Sequence, residues 1–289
     1  MRHPGVSPKL APAAGIACGG SFFYYEVYLL AAMKILKGSE IALFFQVRHQ
    51  ALAASFDRPP HLAIIKSDDN VAAEKYLKAK AAYGQAIGVT VSIYSEKPEH
   101  LLERIKQLGA DPDVTGIIVQ LPLPDAALTD QALAAVPPTK DVDGLGPHSP
   151  FEATTPKAVL WLLAAYDVTI GGQIAVVGQG RLIGKPLADR LEVTGHHVIR
   201  CDINTPDLAA AINDADMVLS ATGQAHLIKS AMLKSGAVGV DAGSPAPEFA
   251  PEVYSRPDLI LTPNPGGVGP MTVACLFDNL LIAAQTQQK

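Results

Sequence analysis

Gln173-Ile174-Ala175-Val176-Val177-Gly178-Gln179-Gly180-Arg181-Leu182-Ile183-Gly184 is a short apolar run that leads straight into three glycines. A run of this length closed by glycine reads as a buried strand rather than a helix. The spacing Gly-x-Gly-x-x-x-Gly is one residue longer than the usual dinucleotide fingerprint, so taken alone it also fits a tight βα turn. Context favours the fingerprint. A strand precedes it, a helical pattern follows, and Asp202 stands at the end of the next strand, 24 residues after Gly178. In that setting Gly178, Gly180 and Gly184, with Gln179 between them, let backbone N–H groups and a helix N-terminus meet a pyrophosphate.

The alternation extends to both sides of that stretch. Downstream, His197–Cys201, Met217–Ser220, Val238–Val240 and Leu259–Leu261 read as further short apolar strands. With the glycine turn they describe a Rossmann-like domain over residues 151–272. Upstream, residues 38–55 carry helical periodicity, with Ile41, Phe44, Phe45 and Leu52 expected on one apolar stripe. His61–Ile65, Val89–Tyr94 and Gly116–Val119 read as strands. Helices are expected over Asn70–Ile87, with Asn70 as N-cap, over Pro98–Leu108 and near Asp130–Ala135. Repeated βα units imply a parallel sheet with helices on both faces. The chain therefore reads as α/β in two domains, 33–150 and 151–272, with a ligand cleft between them.

A second glycine-rich stretch, Asn264-Pro265-Gly266-Gly267-Val268-Gly269-Pro270-Met271-Thr272, follows the last of these strands. Three glycines and two prolines in nine residues predict a rigid turn, with the apolar helix starting only at Val273 and running to Gln287. Its place at the carboxyl end of a strand is where open α/β sheets bind ligands.

The 289 residues are 48% hydrophobic, enough for two domains with cores of their own. A net charge of −5, with no basic run, argues against a nucleic-acid partner. Cys18, Cys201 and Cys275 are too few and too scattered for a disulfide scaffold or a zinc site, and a reducing, cytoplasmic setting fits. Cys201 and Cys275 sit in apolar runs and are expected to be small core residues. The eight histidines show no metal-ligand spacing, and no metal is expected. Residues 1–32 form an apolar leader, but Glu26 and several glycines make it a poor membrane span, and no membrane association is expected.

Three motifs occur in order: Val119-Gln-Leu-Pro-Leu-Pro124, Lys140-Asp-Val-Asp-Gly144 and Pro265-Gly-Gly-Val-Gly-Pro-Met-Thr272. On these the chain, from Met33 onward, resembles the bifunctional methylenetetrahydrofolate dehydrogenase/methenyltetrahydrofolate cyclohydrolase family. The resemblance implies a folate-binding catalytic domain completed by the C-terminal helix, a nicotinamide dinucleotide domain and a homodimer. It also makes Met33 the expected initiator. The implied reactions are oxidation of 5,10-methylenetetrahydrofolate and hydrolysis of the methenyl product to 10-formyltetrahydrofolate. A dehydrogenase lacking the second step and a non-catalytic nucleotide-binding paralogue are the alternatives.

Tyr76 and Lys80 lie four apart on a predicted helix and share a face, whereas Lys75 and Lys78 point elsewhere. An isolated helix lysine reads as solvated surface, but the resemblance makes Lys80 the catalytic lysine, with Tyr76 packed against the folate. Gln120, at the carboxyl end of its strand, reads as a loop amide; the resemblance puts it against Lys80. Asp141 and Asp143 alternate along an expected extended segment, so spacing does not choose between them. The resemblance selects Asp143 to hold the pterin ring and leaves Asp141 structural. It further implies Thr155 near the nicotinamide, and Pro265, Gly266, Gly267 and Pro270 at the substrate.

Cofactor choice turns on Asp202, a carboxylate suited to ribose hydroxyls and repulsive to a 2′-phosphate. NADP-using relatives resemble Gly-Arg-Ser and Cys-His-Ser-Lys-Thr where this chain has Gly178-Gln-Gly180 and Cys201-Asp-Ile-Asn-Thr205. NAD or NADP is implied, and Asp202 favours NAD, with Arg181 and Arg200 as nearby cations that act against that preference. Two further departures stand out. Asn264 replaces a usual apolar residue, and the 244–257 loop lacks the Gly-Asp-Val that members carry.

Overall fold

Short β-branched runs separated by helices fold here into two parallel sheets, described by a computed structural model over residues 34–67, 71–125 and 127–287. The leader, Met33 as initiator and Asn70 as N-cap lie outside the described residues. The strands are β1 (Lys34–Ile35), β2 (His61–Lys66), β3 (Thr90–Ser95), β4 (Gly116–Val119), β5 (Ile174–Val177), β6 (Val198–Cys201), β7 (Met217–Ser220), β8 (Val238–Asp241) and β9 (Ile260–Leu261). The helices are α1 (Gly38–Ala53), α2 (Val71–Ile87), α3 (Leu101–Ala110), α4 (Leu128–Ala135), α5 (Thr154–Ala165), α6 (Gly184–Val193), α7 (Leu208–Ile212) and α8 (Val268–Gln287).

The smaller sheet has the order β3-β2-β4 and the larger β1-β9-β8-β7-β5-β6, every pair parallel. Period-two alternation divides each sheet between two cores. Leu62, Ile64 and Ile118 face α2 and α8, while Ala63, Ile65, Ile117 and Val119 face α3 and α4. In the larger sheet Ile174, Val176, Met217 and Leu219 pack on α5 and α6, and Ala175, Val177 and Val218 pack with Ile212 and Phe249 on the other face. Cys201 and Cys275 are buried, as their apolar settings predict.

Three expectations are corrected. β1 pairs with β9, so Lys34–Ile35 extends the larger sheet although the sequence reading puts it at the start of the 33–150 domain. Phe44 is 71% exposed, and the buried stripe of α1 runs instead through Ala42, His49 and Ala53 beside Ile41, Phe45 and Leu52. At about 100° per residue Phe44 is the outer shoulder of that stripe. Finally, α8 begins at Val268 rather than Val273. Pro270 is accommodated because the first-turn N–H groups of a helix have no intrahelical acceptor to lose.

α8 is apolar all round because it is buried on more than one side. Met271, Ala274 and Cys275 join the core on the larger sheet; Val273, Leu276, Phe277, Leu280 and Leu281 join the core on the smaller one. Its polar residues are paired inside. Lys157 Nζ donates to Asp278 Oδ2 at 2.7 Å and to Asn279 Oδ1 at 2.8 Å. Burial pushes the Asp278 carboxyl up, but the neighbouring His49 ring and the Lys157 amine bring it below its ordinary value.

Candidate active site

The parallel strands end on a common theme: each sheet sends its carboxyl-terminal loops toward a set of polar side chains. In α2 the four-residue spacing leaves Tyr76 half-buried and Lys80 9% exposed, while Lys75 and Lys78 are exposed. Gln120 follows β4, and its backbone N–H donates to Ile65 O at 2.8 Å, which fixes the start of the loop. Lys80 Nζ donates to Gln120 Oε1 at 3.1 Å, and Gln120 Nε2 donates to Leu121 O at 2.9 Å. The amide is therefore oriented with its oxygen toward the amine. Burial lowers the Lys80 pKa, and the charge of Asp143 opposes that shift.

Asp141 and Asp143 take different partners, and the alternation expected of them is broken by a turn. Asp141 makes a single bridge with Ile117 and the chain then turns, so the extended segment ends one residue too early for alternation. Asp141 Oδ2 accepts the Gly146 N–H at 2.7 Å and is buried, a loop-closing role. Asp143 is half-buried and accepts the Thr154 hydroxyl at 2.7 Å. The sequence holds no signal for Thr154 beyond the Thr-Thr pair at the start of α5. Thr155 faces α8, where Thr272 Oγ1 lies 3.4 Å from its hydroxyl.

The glycine turn after β5 holds two positions that no side chain can take. Gly178 has φ +92°, and a Cβ there would meet Ala221 O of the loop after β7. A Cβ on Gly184 would collide with the Gly178 carbonyl, so α6 starts against the turn itself. By contrast, nothing lies within 4 Å of a Cβ built on Gly180, leaving its backbone open to an approaching group. The open backbone, the α6 N-terminus and the β5/β7 switch point fit a dinucleotide pyrophosphate. Gln179 turns inward, donating to Val176 O at 3.0 Å and accepting from Arg200 at 3.2 Å.

At the end of β6, Asp202 is exposed, and its Oδ1 accepts the Asn204 N–H at 2.8 Å. Neither nearby cation is free of carboxylates. Arg200 pairs with Asp189 at 2.6 Å and Glu192 at 2.7 Å, and Arg181 pairs with Asp130 of α4. Pro265, Gly266 and Gly267 form the turn between β9 and α8, with the Ser39 N–H donating to Gly266 O at 3.0 Å. Pro270 lies within the first turn of α8. Sequence reasoning missed the buried groups behind this surface, notably Asp241, Glu248 and Asn279. Each is an ordinary polar residue until the fold surrounds it.

The tetrahydrofolate dehydrogenase/cyclohydrolase catalytic-domain model matches residues 36–143, and the NAD(P)-binding-domain model of the same family matches residues 153–288. The bifunctional protein FolD of Nitrosomonas europaea is 36% identical over 278 residues, covering 87% of this chain and 93% of that protein. The crystal structure of the bifunctional FolD dehydrogenase/cyclohydrolase of Campylobacter jejuni superposes with a TM-score of 0.81 at 32% identity, covering 88% of this chain and 99% of that one. The Trypanosoma brucei enzyme, complexed with NADP cofactor and inhibitor, gives a TM-score of 0.82 at 27% identity, covering 88% and 98%. With both halves matched in order around a buried Lys80–Gln120 pair, the chain belongs to the tetrahydrofolate dehydrogenase/cyclohydrolase family.

Proposed function

We propose that this chain oxidises 5,10-methylenetetrahydrofolate to the 5,10-methenyl form with a nicotinamide dinucleotide, then hydrolyses that product to 10-formyltetrahydrofolate in one-carbon metabolism. Lys80 carries the reading: an amine 9% exposed, 3.1 Å from a neutral amide acceptor and within the field of Asp143. Burial favours the neutral amine, so Nζ is able to take a proton from water near neutral pH. Water adding to the methenyl carbon loses a proton to Nζ, and opening of the ring C–N bond leaves the formyl group on the other nitrogen. Gln120 holds Nζ in place without the charge that a carboxylate would bring. Asp143, steadied by Thr154, is the group for the pterin N–H donors, and Tyr76 on the Lys80 face packs against the ring. Pro265, Gly266, Gly267 and Pro270 complete the folate side.

When bound, the dinucleotide supplies the hydride acceptor. Gly178, Gly180 and Gly184 cradle its pyrophosphate, and Thr155 approaches the nicotinamide side. NAD is preferred over NADP in this reading. Asp202 presents a carboxylate where a 2′-phosphate would lie, and Arg181 and Arg200 are both held by acidic partners. The same reading expects a cytoplasmic homodimer, which sedimentation measures directly.

The test mixes protein, methylenetetrahydrofolate and NAD and follows the absorbance of the reduced cofactor; no reduction with either NAD or NADP sinks the reading. Lys80→Met separates the two steps. It should abolish hydrolysis of methenyltetrahydrofolate and leave dinucleotide binding nearly intact, and wild-type-like hydrolysis by the variant would count against Lys80.

A further inference from the structure

Two carboxylates at the carboxyl end of the larger sheet are more deeply buried than Lys80. Asp241, which ends β8, is 2% exposed, and Glu248, in the loop after it, is 0% exposed. Among the described residues neither pairs with a cation; both are surrounded by peptide N–H groups and neutral side chains. Glu248 Oε1 accepts the N–H groups of Thr222 and Gly223 at 2.7 and 2.6 Å. Its Oε2 accepts the hydroxyls of Ser220 and of Thr222, the latter at 2.9 Å. One carboxylate thus binds the whole loop after β7, the loop that abuts Gly178 in the dinucleotide turn.

Asp241 gathers the other side. Its Oδ2 accepts the Glu248 N–H at 2.9 Å, the Phe249 N–H at 3.3 Å and the Tyr254 hydroxyl at 3.2 Å. Its Oδ1 accepts the Gly243 N–H at 2.8 Å and the Asn264 amide at 3.2 Å. The same Asn264 Nδ2 reaches Gly243 O at 3.0 Å. Asn264 leads directly into the Pro265–Gly267 turn. A continuous hydrogen-bonded path therefore runs from Thr222–Gly223 through Glu248, Asp241 and Asn264 to the turn before α8. Two of its members occupy departures already noted, Asn264 in place of an apolar residue and Glu248 in the loop without Gly-Asp-Val.

We propose that Glu248, Asp241 and Asn264 are positioning residues that hold the loop after β7 and the Pro265–Gly267 turn in one register, and so set the alignment that dehydrogenation requires. Buried charge-assisted hydrogen bonds are strong and directional, and a buried carboxylate deprived of a donor pulls its neighbours out of place. Dehydrogenation needs the dinucleotide and folate sides aligned together, whereas hydrolysis of the methenyl form needs the folate side alone. The inference rests on the two-activity reading above, and its test is arranged to separate the two.

Asn264→Val removes the amide while keeping a side chain of the kind usual at that position. It should lower the dehydrogenase kcat roughly tenfold and the cyclohydrolase rate several-fold less, because hydrolysis uses the Pro265–Gly267 turn but not its register with the loop after β7. Glu248→Gln should show the same split with a higher KM for the dinucleotide. Parallel loss of both activities would reduce the path to fold support and overturn the proposal, as would unchanged kinetics in both variants. Amide hydrogen exchange answers without turnover. In Asn264→Val, exchange should quicken at 222–223 as well as near Gly243, and a change confined to 243 and 264–267 overturns it. A wild-type protein without dehydrogenase activity would fail the functional reading, while the exchange result would still decide this one.

Discussion

Lys80 and Asp202 illustrate how far a single residue's surroundings determine its chemistry. Lys80 stood out by the family resemblance together with its spacing from Tyr76, but its burial and its 3.1 Å contact with Gln120 exist only in the folded chain. Because burial lowers its pKa from 10.5, hydrolysis by the neutral amine should rise with pH through an inflection below that value. Gln120→Glu places an anion against the amine and stabilises its charged form. The inflection should then move up, and a pH–rate profile measures it. Asp202 is an exposed carboxylate, so solvent screens it more than a buried one. A preference for NAD of roughly tenfold or more is still expected, since repulsion of about 1.4 kcal/mol is one decade. Asp202→Ser should narrow that gap, chiefly through better NADP use; equal efficiency with both cofactors in the wild type would contradict this assignment. Asp141 and Asp143 were not separable by pattern, because the turn after the Asp141 bridge depends on a long-range pairing with Ile117.

Among the elements, those whose residues alternate or repeat cleanly were the readable ones. β5, β7 and β8 are four-residue apolar strands bounded by glycine or polar loops, and they stand where the pattern put them. Helix starts were harder. The glycine and proline content of 264–272 predicts a turn throughout, yet the N-terminal turn of α8 accepts Gly269 and Pro270 once Val268 and Met271 are buried. Phe44 falls outside the α1 stripe because periodicity locates a face only to within a residue or so, and packing decides its edge. The start of α6 offers a test at this scale. Gly184→Ala drives a methyl into the Gly178 carbonyl, so the variant should lose roughly 1–3 kcal/mol of stability. Dinucleotide affinity should fall with it, measured by urea unfolding and by cofactor titration. Retention of both would show that the turn has more room than its backbone suggests.

For the molecule as a whole, α8 is the element that makes two sheets one body. Asn279 shows how: its Nδ2 donates to Val142 O at 2.9 Å and Glu152 O at 3.1 Å, on both sides of the Asp143 loop. Its oxygen accepts from Lys157, which is also paired with Asp278. Asn279→Leu keeps the bulk but strips three buried hydrogen bonds, and should destabilise the protein by about 2–4 kcal/mol. With Asp143 less firmly held, the KM for folate should rise more than that for the dinucleotide; thermal unfolding and steady-state kinetics check the two parts. Local order, by contrast, was written in the sequence itself. Strand and helix periodicity, the glycine spacing after β5 and the motif order were enough for the α/β class, the glycine turn and the family. Tertiary structure alone decided that β1 crosses to the larger sheet, that Thr154 meets Asp143, and that Asp241, Glu248 and Asn264 form one path. The physical reason is the range of the interactions. Periodicity and turn chemistry act within a few residues, whereas burial and hydrogen-bond partnership join groups far apart in the chain and exist only once it has folded.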